Sequence, residues 1–84
     1  LKIFKLINNP IKSIGDNLKF LISLEELNVR SKLLASIESY ELSYLTKLYE
    51  LKLKGCNLTI LNNYAFDGLI YLELLDLSQN RIEL

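Results

Sequence analysis

The chain has 84 residues, half of them apolar, and its ten basic and ten acidic side chains cancel. Neutrality argues against the basic stripe that nucleic-acid binding needs and the polybasic run that an anionic membrane attracts. One cysteine, Cys56, excludes an internal disulfide, no histidine is present to act as base or ligand, and no apolar run nears the ~20 residues of a membrane span.

The chain opens inside a pattern, with Leu1, Phe4, Leu6, Asn9, Ile11, Ile14, Leu18 and Leu21 marking a first unit, 1–23. A second unit, 24–47, follows with Leu24, Leu27, Val29, Leu34, Ile37, Leu42 and Leu45. The third, 48–71, is the clearest. Leu48, Leu51, Leu53, Cys56, Leu58, Leu61, Phe66 and Leu69 fall at its positions 1, 4, 6, 9, 11, 14, 19 and 22. A partial unit, 72–84, repeats the start with Leu72, Leu75, Leu77, Asn80 and Ile82. In each unit, apolar positions 4 and 6 alternate with positions 3, 5 and 7, as in Leu51-Lys52-Leu53-Lys54, which predicts a strand buried on one face. Past position 9 the apolar spacing lengthens, which predicts a return arc aimed at the same core. One unit cannot bury its leucines alone, so neighbours must stack and pair their strands in parallel. A helical hairpin would be interrupted by Asn9-Pro10, Gly15 and Gly55, and it leaves the 24-residue recurrence unexplained.

The segment Leu72 to Ile82, L-E-L-L-D-L-S-Q-N-R-I, resembles the leucine-rich repeat signature at every defining position. The resemblance extends over the whole chain. It implies an α/β leucine-rich repeat solenoid, a horseshoe segment with a parallel β-sheet on its concave face and irregular or short helical return arcs. The ending Ala65-Phe66-Asp67-Gly68-Leu69 in a 24-residue unit resembles the typical subtype of animal extracellular proteins, such as Toll-type, Slit-like and chaoptin-like proteins. The caps that complete members carry are absent from residues 1–84. Neighbouring repeats or self-association are therefore expected to cover the ends.

Position 9 normally holds an asparagine that bonds the loop backbone and passes a ladder from unit to unit. Here it holds Asn9, Lys32, Cys56 and Asn80. Cysteine is an accepted alternative. Lysine is not, because burying an unpartnered ammonium is costly, so Lys32 is expected to snorkel outward or the turn after Val29 to be distorted. Cys56 is expected to be a buried, inert thiol.

No catalytic, cofactor-binding or metal-binding residues are expected, since the carboxylates show no motif pairing and no Gly-rich phosphate loop occurs. Asn57-Leu58-Thr59 is the one N-glycosylation acceptor sequence, with Asn57 predicted to be exposed. Tyr40 and Tyr64 share position 17 and are expected to stack. Across the concave sheet, column 3 reads Ile3, Glu26, Glu50, Leu74. Column 5 reads Lys5, Asn28, Lys52, Asp76, and column 7 reads Ile7, Arg30, Lys54, Ser78. Acid thus gathers in column 3 and base in column 7. The expected partner-binding residues are Glu26, Arg30, Tyr49, Glu50, Lys52 and Lys54, facing a protein ligand or co-receptor. The expected setting is extracellular or at the cell surface, as a receptor, adhesion or secreted recognition module. The alternatives are a cytoplasmic scaffold or immune-sensor segment, and a regulatory region attached to an enzyme.

Overall fold

A computed structural model describes residues 2–83, with Asn17 described through its backbone alone. The elements in chain order are β1 (Ile3–Ile7), α1 (Ile14–Leu18), β2 (Glu26–Arg30), β3 (Ser36–Ile37), β4 (Glu50–Lys52), β5 (Ile60–Leu61) and β6 (Leu74–Asp76). Strands β1, β2, β4 and β6 lie side by side in that order as one parallel sheet, and β3 pairs with β5 in a second. Partners in the large sheet are Ile3 with Glu26, Glu26 with Glu50, and Glu50 with Leu74. One strand per turn therefore recurs at offsets of 23, 24 and 24 residues (26 − 3, 50 − 26, 74 − 50).

The alternation predicted for the strands is present in β1, β2 and β4, while in the edge strand β6 both Leu74 and Leu75 are exposed. In β2, Leu27 and Val29 are buried while Glu26, Asn28 and Arg30 are not. In unit three, Leu51 and Leu53 are fully buried, and they join Leu24, Leu34, Ile37, Leu42, Leu48 and Leu58 in one core. Each buried leucine of this kind stabilises by about 1.5–3 kcal/mol. Phe66 is half-buried against that core, and its neighbour Ala65 is the buried residue of the pair.

The units also share backbone joints. The position-2 carbonyls of Lys2, Glu25 and Tyr49 each accept two amides from the next unit, those of Glu25 and Glu26, Tyr49 and Glu50, and Glu73 and Leu74. The three complete units close on the same turn, in which Leu24, Leu48 and Leu72 donate to the carbonyls of Leu21, Leu45 and Leu69 at 3.1–3.2 Å. These joints bring each unit back to the same place on the sheet.

The return arcs differ between units. Unit one turns into α1 because Ser13 is an N-cap whose Oγ accepts from the Asp16 amide. The carboxylate of Glu41, one unit on, supports the same end. Its Oε2 accepts from the amides of Ile14 and Gly15, both at 2.9 Å. Gly15 is required there, since a Cβ would come 2.9 Å from Glu41 Cγ. Units two and three place β3 and β5 at this point of the arc. This second parallel pair goes beyond the irregular or helical arcs expected. It forms because Ser36-Ile37 and Ile60-Leu61 run extended in register, one unit apart. Tyr40 and Tyr64 stack as expected, with centroids 5.3 Å apart and planes at 7°.

The expected ladder needs one correction. Among the described residues it runs Ser31, Cys56, Asn80, while Asn9 and Lys32 are exposed. Asn8, Gly55 and Gln79 at position 8 all adopt positive φ, and no such value occurs at Ser31. The turn after Val29 therefore aims position 8 inward in place of position 9. Ser31, only 2% exposed, donates from Oγ to the Ile11 carbonyl at 2.7 Å and accepts the Leu33 amide. Its own amide donates to Cys56 Sγ, whose thiol donates to the Val29 carbonyl. Asn80 continues the series, donating to the Leu53 carbonyl at 2.8 Å and accepting the Leu58 amide. The distortion keeps the Lys32 ammonium in water and avoids the penalty for burying it.

Candidate functional site

The outward positions of the four-stranded sheet form one continuous face. Pairing sets Glu26 beside Glu50 and Asn28 beside Lys52. Lys52 in turn pairs with Asp76. All six side chains singled out from the sequence lie on this face or its edge, none of them buried. Leu27, Val29, Leu51 and Leu53 fix the backbone beneath them. Their positions are thus set by strands and not by loops.

The six divide into two groups. Toward the start of the strands, the Tyr49 hydroxyl donates to Glu26 Oε1 at 2.5 Å. That bond, aided by burial and the fields of Glu26, Glu25 and Glu50, pushes the phenol up to about 12 from its ordinary 10.0. Tyr49 also borders an open groove lined by Glu25, Lys47, Tyr71 and Glu73. These residues come from positions 2 and 24, ahead of the strands, and the column reading overlooked them. The recurrence of aromatic and acidic residues there was the available signal.

Toward the strand ends the charge is positive. Arg30 Nε donates to the Lys54 carbonyl at 3.4 Å. Its guanidinium lies against Gly55, whose φ of +71° and missing side chain leave room for it. Lys52 Nζ sits 3.7 Å from Glu50 Oε2, linking the two groups through a half-exposed pair. Such a pair contributes about 0.2–1 kcal/mol. Asp76 bounds the basic group. The Ser78 hydroxyl and amide both donate to its Oδ1, at 2.6 and 2.9 Å. These bonds, with the fields of Lys54 and Lys52, hold its carboxyl below the ordinary carboxylate value.

Cys56 is buried, and burial raises its thiol pKa. Asn57 is exposed next to fully buried Leu58, as its position predicted. Among the described residues no group of three His, Cys, Asp or Glu could hold a metal. Among the same residues no helix is long and apolar enough to cross a membrane.

Parallel strands recurring once per turn, with a shared leucine core and an open sheet face, define a repeat solenoid. The sequence profile described as "Leucine rich repeat" matches residues 22–82, and the chain belongs to the leucine-rich repeat family. Repeats of this family generally serve as protein–protein interaction modules and are typically non-enzymatic. A search of curated proteins found no match to the chain.

Proposed function

We propose that the concave face binds a protein ligand or co-receptor through Glu26, Arg30, Tyr49, Glu50, Lys52 and Lys54. The chain then acts as a recognition module of an extracellular receptor, adhesion or secreted protein. The observation that carries the binding reading is the Tyr49–Glu26 bond of 2.5 Å at the sheet surface. An aromatic of the kind enriched at binding hot spots is there held in one orientation above strands pinned by the core. Little ordering cost then falls on the repeat side when a partner docks. The extracellular reading is supported by the Phe66-Asp67-Gly68-Leu69 ending and by the exposed acceptor Asn57.

Site-specific photocrosslinking tests the binding reading. A photoreactive residue in place of Tyr49 should capture a single discrete partner, and one in place of Tyr44, on the return arc, should not. Capture from position 44 alone would move the site off the sheet. For the setting, expression in a secretory host should give a mass increase that Asn57→Gln removes. Retention of the full-length protein in the cytosol would instead support the intracellular scaffold or immune-sensor alternative.

A further inference from the structure

The positive half of the face forms a depression of about 360 Å³, lined by Ile7, Asn28, Arg30, Lys52, Lys54 and Asp76. It holds three cations and one carboxylate. Asp76 keeps its charge while its Oδ1 accepts two hydrogen bonds from Ser78, so one carboxylate faces three cations and the depression stays positive. The cations are less satisfied. Among the described residues the ion pair of Lys52 is a 3.7 Å contact with Glu50, with 41% of its side chain in solvent. Among the described residues Lys54 Nζ has no ion pair. Arg30 uses Nε on a carbonyl, and its terminal nitrogens have no hydrogen bond among the described residues. Its placement against Gly55 orients the guanidinium, and a Cβ there would come within 3.1 Å of Nε.

We propose that this depression receives a carboxylate side chain of the protein partner, so that the partner docks through an exposed acidic segment. The proposal rests on the protein-binding reading of the concave face and adds the chemistry of the occupant. A guanidinium with free terminal nitrogens takes a carboxylate in bidentate fashion. Two ammonium groups beside it supply the charge, and the Asn28 amide adds neutral hydrogen-bonding capacity. Half-exposed Ile7 offers apolar contact to the stem of an acidic side chain. A nucleic-acid strand fits poorly. Glu26 and Glu50 lie two residues along the same strands from Asn28 and Lys52, about 7 Å away, and would repel a continuous run of phosphates.

The test is isothermal titration of the full chain with a capped eight-residue peptide carrying two adjacent glutamates. Its glutamine and lysine counterparts serve as comparisons. The glutamate peptide should bind saturably and lose affinity as salt rises. Arg30→Glu and Lys54→Glu should each weaken it by about tenfold or more, and Asp67→Lys should leave it unchanged. Arg30→Gln, which removes charge without reversing it, should give an intermediate loss. Lack of binding by the glutamate peptide, equal binding by the glutamine peptide, or indifference to Arg30→Glu would each overturn the proposal. So would displacement of the peptide by inorganic phosphate or a single-stranded oligonucleotide at lower concentration. Any of these results alongside intact partner capture from position 49 would reject the acidic segment and leave the protein-binding reading standing. Loss of that capture as well would reject both.

Discussion

Leu51 and Leu75 occupy the same place in consecutive units, and their exposure differs. Leu51 is fully buried between β2 and β6, while Leu75 is 40% exposed. Leu51→Ala should therefore cost about 2–5 kcal/mol by urea unfolding, and Leu75→Ala clearly less, because the cavity term needs neighbours on all sides. Tyr49 gives a second residue-scale prediction. Its phenol titrates at about 12 in the folded chain against 10.0 ordinarily. The folded state then holds that proton more tightly, so the contribution to stability is fully present below pH 10 and is lost as pH rises through 12. NMR titration of the Tyr49 ring should show the high midpoint, and Glu26→Gln should bring it down. An unchanged midpoint in Glu26→Gln would dissociate the shift from that bond. Column 3 revealed Glu26, and Tyr49 stood out as an aromatic at position 2 on the edge of the same face. The bond between Tyr49 and Glu26 was not legible, because it crosses from position 2 of one unit to position 3 of another, and periodicity does not encode which rotamer closes such a contact.

At the scale of the element, the turn after each strand decides which residue faces inward. The recurring spacing revealed the strands of the large sheet and the core, and the cost of burying an ammonium gave the outward placement of Lys32. Neither revealed that Ser31 takes the ladder place, because the choice depends on the sign of φ at a single position. Residue type at position 8 does not give the choice away: Asn8 and Gly55 tolerate the left-handed region well, but Gln79 adopts it too, and Ser31 does not. Ser31→Ala should cost about 1–3 kcal/mol by leaving the Ile11 carbonyl and Leu33 amide without their partner. Lys32→Asn, which restores the family's usual residue at position 9, should change stability by less than about 0.5 kcal/mol, because that side chain is exposed. A clear gain in unfolding midpoint for Lys32→Asn would show that position 9 does face the core. The bonding of Glu41 to the start of α1 was equally hidden. It joins residues 26 and 27 apart through a side chain, and no pattern of apolar spacing reports on it.

Across the whole molecule, an evenly balanced charge is unevenly placed. Stacking by 23 and then 24 residues converts a recurring sequence into columns, and the columns put carboxylates toward the strand starts and cations toward the strand ends. This segregation was legible as soon as the register was known. The depression around Arg30 was not, because it depends on the missing side chain of Gly55. Like charges placed side by side, as in Glu26 with Glu50, cost some stability, and a partner of opposite pattern recovers it. The sheet face is the proposed partner surface, and its most direct test is the equilibrium affinity for the captured protein partner in three charge reversals of matched unfolding midpoint. Lys52→Glu and Glu26→Lys should each weaken binding by about tenfold or more, and Asp67→Lys on the return arc should leave it within about twofold. Equal losses in all three, or a loss confined to Asp67→Lys, would contradict the assignment of the partner to the concave face.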